Sequence, residues 1–392
     1  MWKSLKLEDV CQIGDGNHSS NYPKASEMVE QGVPFIRAGN IQGGTVSSED
    51  LKFITPEKHL ILKKGHLKEG DVLITNRGEI GKTAVVPKIF EGANLNSQIA
   101  WLRPDDRLLS QFLFYALSAP EAKASFKSQQ SGTALQQLTI RQIKNLHVSY
   151  PPLAEQQRIV AKLDAAFAEI DGAIEVANAK EAEIKKLGRH ALETFFKENF
   201  KTKKIGELGG VKSGGTPKST EPSYWNGKIE WYSSGELNDM YALSTVKRIT
   251  NEGLNSSNAK LFPADTLLVG MYDTAAMKMS ILQNEATFNQ AIVGIPPNEF
   301  ASPQYLFYAL NYLKPKILLE RRGVRQQNLS LAKIKNVDVP IPSKEQQQCI
   351  VKQANKVTQK IGFIVETLTN KKSQLANLKS AILAQELRSE AA

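Results

Sequence analysis

Residues 151–163 read PPLAEQQRIVAKL and residues 340–355 read PIPSKEQQQCIVKQAN, and each opens a stretch patterned for helix. In the second copy, positions 350, 354, 357, 361, 364, 368, 371, 375, 378 and 382 carry Ile, Ala, Val, Ile, Ile, Leu, Lys, Leu, Leu and Ile, alternating steps of four and three. The positions 191 residues earlier hold Ile159, Leu163, Ala166, Ile170, Ala173, Ala177, Lys180, Ile184, Leu187 and Ala191. This spacing predicts two equivalent coiled-coil seams, each with a lysine at the same step. Pro152 and Pro342 suit the first turn, where a missing N–H does no harm. Ser343 and Gln346 have capping-box spacing, which Leu153 denies the first copy. Glu155 and Glu345 would lie near the positive end of the helix dipole.

The repetition extends upstream. SQFLFYAL at 110–117 returns as PQYLFYAL at 303–310, and GTALQQLTIRQIKN at 132–145 as GVRQQNLSLAKIKN at 323–336. GDVLIT from Gly70 aligns with ADTLLVG from Ala264, and FIRAGNI from Phe35 with WYSSGEL from Trp231. The chain therefore reads as one unit of about 195 residues written twice.

The first part of each unit reads as mixed α/β. DVLIT, TAVVP and SQIAWLRP, rich in Val and Ile and bounded by Gly, Asn or Pro, predict strands. FLFYALSAPEAKASF and YLFYALNYLKPKILL predict helices that Pro120 and Pro315 should break or kink. Between them lie Gly-, Ser- and Asn-rich loops, notably GDGNHSSNYP and SGGTPKSTEPSYWNG, where recognition residues usually sit. At ~1.5 Å per residue, a helix of about forty residues spans ~60 Å. The expected architecture is α+β: two pseudo-repeated α/β domains separated by a long antiparallel two-helix coiled coil. The domains run 1–150 and 201–341, and the helical regions 151–200 and 342–392.

Fifty Lys and Arg against 40 Asp and Glu give a net charge of +10 over 392 residues, which favours an acidic partner such as nucleic acid. Cys11 and Cys349 match no metal or disulfide spacing. No apolar run approaches the ~18 residues of a membrane span, and MWKSLKLEDV lacks the apolar stretch of a signal peptide, so a cytoplasmic protein is expected. GEIGKT at 78–83 imitates a phosphate loop but has two residues between its glycines where four are required, and reads better as a turn between strands. The five histidines are scattered, with no HExxH, and no GxSxG elbow is present. No catalytic centre is expected. SGGTPKS at 213–219 and RRGVRQQN at 321–328 suit DNA instead, because Arg and Lys anchor phosphates or read guanine while Asn and Gln read adenine.

On PPLAEQQRI and PSKEQQQCI, the preceding LTIRQIKNLHV and LAKIKNVDV, and SGGTP…YWNGKIEWYSSGEL, the sequence resembles the specificity subunit of Type I restriction-modification systems over essentially its whole length. The first domain departs from the pattern, with GDGNH in place of SGGTP. The resemblance implies a subunit without catalytic activity, in which each domain is a target recognition domain for one half of a bipartite, asymmetric DNA target. The helices would set the gap and dock two methyltransferase subunits, and restriction subunits would join that core. S-adenosylmethionine, ATP and Mg would belong to the partner subunits, with no cofactor or metal in this chain. The Asn- or Asp-Pro-Pro-aromatic motif of amino-methyltransferases is absent, since Tyr150-Pro151-Pro152 and Pro296-Pro297-Asn298 have the wrong order.

By position, DNA contacts are expected in the first domain from Asn17, His18, Arg37, Asn40, Asn76, Arg77 and Lys82. In the second they are expected from Ser213, Thr216, Lys218, Ser233, Ser234, Tyr272, Lys278, Arg322 and Arg325. Two other classes stay open at this point: a self-contained modification or restriction enzyme, which the missing motifs oppose, and a coiled-coil scaffold that does not bind DNA.

Overall fold

The computed structural model describes residues 2–16, 21–129, 137–319 and 329–388. The chain divides into two compact units, Met1–Ala177 with Asn370–Ala392, and Asn178–Thr369.

In the first unit a six-stranded sheet has the order Cys11–Asp15, Ile99–Pro104, Val72–Thr75, Thr83–Val85, Thr45–Val46, Ile41–Gln42. DVLIT, TAVVP and SQIAWLRP are thus strands, and they are its centre. Val72 to Ile74 are continuously apolar because both faces of the strand are covered. Val72 and Ile74 join Phe112, Leu113 and the helical residues Ile159 and Leu163 on one side. Leu73 joins Ile36, Ile41 and Leu95 on the other.

The second unit repeats the scheme in shorter form. Its four-stranded sheet has the order Lys212–Ser213, Ile292–Ile295, Leu267–Gly270, Met279–Ile281. Leu267 and Val269 face Tyr305 and Leu306, while Leu268 faces Phe262 and Phe288. In each unit an antiparallel ribbon closes the domain at the base of a long helix: Lys3–Lys6 with His147–Tyr150, and Thr202–Lys204 with Asp338–Pro340.

Pro120 breaks its helix into Ser110–Ser118 and Pro120–Ser128. Pro315 instead lies inside one continuous helix, Pro303–Leu319. Packing outweighs its missing hydrogen bond, since Tyr305, Leu306, Tyr308, Ala309 and Leu310 before it and Ile317 after it are all buried.

The long helices are Leu153–Thr194 and Lys344–Glu386. Ser343 and Gln346 form the expected reciprocal cap: the Ser343 N–H donates to Gln346 Oε1 at 3.0 Å and the Gln346 N–H to Ser343 Oγ at 3.3 Å. Glu345 is held below the usual carboxylate range by its own backbone N–H and by Ser343. The motif also has a role that a helix start does not require. Gln156 and Gln347, 0% and 2% exposed, fasten each helix to the domain before it. Gln156 Nε2 donates to the carbonyls of Arg107 and Pro151, both at 2.9 Å, while its Oε1 accepts the Leu109 N–H at 2.9 Å. Gln347 does the same with Phe300 (2.7 Å), Pro342 (3.0 Å) and Ser302 (3.2 Å). About two turns farther along each helix, Tyr115 donates to Asp164, and Tyr308 donates to Asn355 at 2.6 Å.

Within the first unit the end of the second long helix packs on the beginning of the first. Leu383 joins Ile159, Leu163, Phe167 and Ile170. Lys162 pairs with Glu386 and Asp171 with Lys379, each at 2.7 Å, so the two segments run in opposite directions. Within the second unit a Cβ on Gly188 would stand 2.1 Å from Ile361 Cδ1, which marks a close helix–helix approach.

The four-three seam is most fully covered toward each helix start and, in the first helix, as far as Ala177, which is buried. Ile159, Leu163 and Ile170, and likewise Ile350 and Ala354, are buried. Beyond that, Leu187, Ile364 and Leu378 are 55%, 38% and 48% exposed, and Lys180 and Lys371 face solvent. There the covered positions mix seam residues, Ile184, Leu368 and Leu375, with positions one residue on, 181 and 188 in the first helix and 365 and 372 in the second. A straight helix of 3.6 residues per turn drifts ~20° per heptad against a 3.5 repeat, so the contacting stripe moves along the sequence.

Cys11 is buried and Cys349 exposed. Burial, reinforced by Asp105, pushes the Cys11 thiol up to about 12. Native protein at pH 8 is expected to react at Cys349 alone with a thiol reagent, and at Cys11 only after unfolding; rapid labelling of both in the native state would contradict the burial.

Candidate nucleic-acid interface

In the first unit several strand ends converge on one tight turn. Strands Val33–Ile36 and Asn94–Leu95 are parallel, so both chains leave the sheet at the same edge. The Asn96 N–H donates to the Ile36 carbonyl at 2.9 Å, and Asn96 Oδ1 accepts the Gln98 N–H at 3.1 Å, closing the turn at 96–98. The Gln98 carbonyl accepts the Asn76 N–H at 2.9 Å, and the Asn76 carbonyl accepts the Leu138 N–H at 2.9 Å. Gly16 completes the ring, where a Cβ would stand 2.1 Å from the Asn96 carbonyl oxygen.

The second unit builds the same ring. The Asn289 N–H donates to Tyr232 O (2.9 Å), the Ala291 N–H to Asn289 Oδ1 (3.1 Å), the Met271 N–H to Ala291 O (2.9 Å) and the Leu329 N–H to Met271 O (3.0 Å). A Cβ on Gly214 would stand 2.0 Å from the Phe288 carbonyl oxygen. Gly214 therefore occupies the place of Gly16, which corrects the alignment of GDGNH with SGGTP by one residue. Only a residue without Cβ fits against that carbonyl, so the glycine sets the register.

Of the residues expected to contact DNA in the first domain, Arg37 and Asn76 are carried to the ring by their strands. Arg37 Nη2 is already engaged, donating to Asp50 O at 2.6 Å and Asp50 Oδ2 at 2.9 Å. The hydrogen bonds from Arg37 and then Lys52 hold the Asp50 carboxyl below its usual range. Asn40 is 1% exposed and braces its own loop, donating to the carbonyls of Ser47 and Glu49 and accepting the Arg37 N–H. Asn76 is 4% exposed, with an Oδ1 that lacks a hydrogen-bond partner. Arg77 faces solvent and makes no hydrogen bond or ion pair among the described residues. Lys82 pairs with Glu79 at 2.8 Å.

GEIGKT is a strand-connecting turn. Thr75 Oγ1 donates to the Glu79 carbonyl at 2.5 Å and accepts the Lys82 N–H at 3.0 Å, with Gly78 and Gly81 at φ +74° and +88°. His59 stacks on His66 at 4.4 Å and shares a hydrogen bond with Asn94. No group of three His, Cys, Asp or Glu able to hold a metal occurs among the described residues.

In the second domain Ser213 and Thr216 line a polar recess of about 490 Å³ with Asn258, Lys260 and Gln290. Lys218 is exposed. The Ser233 N–H and hydroxyl both donate to Glu236 Oε2 at 2.7 Å, and Ser234 lies in the 3-10 turn Ser234–Glu236. Tyr272 is half-buried against the core. Lys278 donates to Asn238 Oδ1 at 2.9 Å. It lies close enough to Lys314 that burial, followed by the Lys278 charge, lowers the Lys314 amine below its ordinary range. Asn17, His18, Arg322 and Arg325 lie outside the described residues.

The family model for the Type I restriction modification DNA specificity domain matches residues 1–186 and again 197–374. The chain belongs to this family. Among its relatives, the putative type I restriction enzyme MjaX specificity subunit of Methanocaldococcus jannaschii is 24% identical over 414 residues, covering 97% of this chain and 92% of the relative. A putative type I specificity subunit of Haemophilus influenzae is 36% identical over 165 residues, 41% of this chain and 39% of its own length. A solved chain from work on complex assembly and conformational transition of the type I R-M system has TM-score 0.75 at 18% identity, covering 99% of this chain and 98% of that one. The HsdS subunit of Thermoanaerobacter tengcongensis has TM-score 0.51 at 18% identity, covering 99% and 97%. At such identities these two establish the shared fold alone.

The structure of this specificity-domain chain adds residues that sequence reasoning passed over: Asn96 and Gln98 in the first ring, Asn289 and Gln290 in the second, and Lys314 beside Lys278. A signal was available, since NSQIA at 96–100 and NQAIV at 289–293 each place Asn and Gln directly before a core strand. No helix among the described residues is long and apolar enough to cross a membrane.

Proposed function

We propose that this chain is the DNA sequence-specificity subunit of a Type I restriction-modification complex, in which each repeat binds one half of a bipartite, asymmetric duplex target. The observation that carries this reading is the doubling of the ring. Two folded repeats present the same strand-end turn with different side chains around it, which suits two half-sites of different sequence. The net charge of +10 supplies the attraction to phosphate that such binding needs.

The long helices, 42 and 43 residues, act as an antiparallel coiled coil that sets the gap between half-sites and docks two methyltransferase subunits. The buried Gln156 and Gln347 clamps support this role, because a helix can serve as a ruler only if its start is rigidly tied to its domain. The target recognition domains span 1–150 and 201–341, and the helical regions 151–200 and 342–392. The chain itself is non-catalytic. Methylation with S-adenosylmethionine and ATP- and Mg-dependent restriction belong to partner subunits.

Arg37, Arg77, Lys82, Ser213, Thr216, Lys218, Ser233, Ser234, Tyr272 and Lys278 are the expected DNA contacts that the structure leaves at least partly accessible. Mapping methylated adenines in a host carrying the chain with its methyltransferase should show one bipartite motif that disappears when the chain is deleted. Binding of the complex to duplex DNA should weaken steeply with salt. Methylation independent of the chain, or binding indifferent to salt, would remove the reading.

A further inference from the structure

Each ring turn carries one exposed glutamine whose carboxamide is already engaged at its oxygen end. In the first repeat the orientation follows from the backbone. Asn96 Oδ1 accepts the Gln98 N–H at 3.1 Å, so Asn96 Nδ2 must be the donor on the other side, and it donates to Gln98 Oε1 at 3.1 Å. In the second repeat the Thr216 hydroxyl donates to Gln290 Oε1 within the recess lined by Ser213, Asn258 and Lys260. In both, the amide nitrogen has no hydrogen-bond partner among the described residues, and the side chain faces solvent.

The task of holding the turn falls to other residues. Asn96 and Asn289 close the two turns through their side-chain oxygens, and they are buried or half-buried where the glutamines are not. The glutamine carboxamides are therefore fixed by the fold and contribute little to it. An amide with a free N–H₂ and a remaining lone pair on its oxygen matches the N6 donor and N7 acceptor of adenine in the major groove. The two turns offer this group from adjacent positions. The Gln98 carbonyl accepts the Asn76 N–H as the Ala291 carbonyl accepts the Met271 N–H, so Gln98 corresponds to Ala291, and Gln290 stands one residue earlier.

We propose that Gln98 and Gln290 are base-reading residues, each recognising an adenine in the half-site bound by its own repeat. This rests on the reading that each repeat binds duplex DNA. The test uses the full chain assembled with its methyltransferase partner, as wild type and as Gln98→Ala, Gln290→Ala, Gln98→Glu and Gln290→Glu, with methylated adenines mapped genome-wide.

Each alanine variant should relax one base pair in one half-site only, the two variants affecting different halves, with preference there reduced roughly 5- to 150-fold. The glutamate variants, which replace the N–H₂ donor with an acceptor, should shift that position toward cytosine. Affinity for non-specific duplex should hold in the alanine variants, since no charge is removed, and all variants should melt with the wild type. Unchanged motifs in all four variants beside a bipartite wild-type motif would overturn the assignment while leaving the reading intact. So would a uniform loss of methylation with no position relaxed. A wild type without a bipartite motif would instead overturn the reading itself.

Discussion

Asp71→Ala is expected to destabilise the first repeat by roughly 3–5 kcal/mol, the range for removing one partner of a buried ion pair. Asp71 is 0% exposed. Its Oδ1 accepts Arg103 Nε–H and its Oδ2 accepts Arg103 Nη2–H, both at 2.7 Å, while Oδ2 also takes the Lys68 N–H at 2.8 Å. Without the carboxylate a mostly covered guanidinium, lying 4.7 Å over the Trp101 ring, would keep its charge and lose its partner. The second repeat supplies the internal control. The Leu282 N–H donates to the Thr266 carbonyl as the Val86 N–H does to that of Asp71, so Thr266 occupies the same place. There a buried neutral hydroxyl donates to the Pro263 carbonyl at 2.8 Å. The fold therefore needs satisfied polar groups at this position and does not need an ion pair. Replacing both partners with apolar residues, as in Asp71→Leu with Arg103→Met, should recover most of the loss. Urea unfolding followed through the first repeat checks both statements; a single-variant loss below about 1 kcal/mol would show that the pair is dispensable.

The parts of the fold legible in the sequence were those with a local or repeated cause. DVLIT declares a strand because its centre, Val72 to Ile74, is apolar on both faces, and the two copies of LFYAL declare equivalent helices because the same core is built twice. The seam was legible in full toward each helix start; farther along, Ile184, Leu368 and Leu375 keep it while positions one residue on are covered as well, in line with 3.6 residues per turn. Pro315 does not break its helix, one of the two outcomes expected of it, because the residues before and after it are buried.

The ring turns were not legible. They arise from backbone hydrogen bonds among residues 36, 76, 96, 98 and 138 and from the close approach of Gly16 to the Asn96 carbonyl, and no local pattern announces that such positions meet. Arg37 and Asn40 show the converse difficulty. Both are polar loop residues of the kind that contacts DNA, yet one is tied to Asp50 and the other is buried as a brace. Composition states that a loop is polar, and only the fold states which side chains point outward. The repeat carries information here too, because Gln98 and Gln290 fall one position apart on equivalent turns, an offset that becomes visible only once the hydrogen bonds fix the register.

The repeated EQQ motif makes its strongest prediction through Gln156. Gln156→Leu keeps the bulk of the side chain and removes all three hydrogen bonds, leaving the buried Pro151 carbonyl and the part-buried Arg107 carbonyl and Leu109 N–H without this partner. At ~1–3 kcal/mol for an orphaned buried group, with some relief from water, a total loss of roughly 2–5 kcal/mol is expected. Gln347→Leu should cost about the same in the second repeat, where Phe300, Pro342 and Ser302 lose the equivalent bonds. The two clamps share no partner, so their effects in the double variant should add within ~0.5 kcal/mol. Exposed Gln157 and Gln348, next in sequence and equally part of the motif, should tolerate leucine with changes near ~0.5 kcal/mol. Denaturant unfolding of the four single variants separates two meanings of the motif. If it served only as a helix start, neighbouring glutamines on the same helical turn would be interchangeable. If it is a clamp, the buried amide carries the effect and its neighbour does not. Equal losses at 156 and 157 would reject the clamp, and with it the rigid joint on which a ruler role for the helices depends.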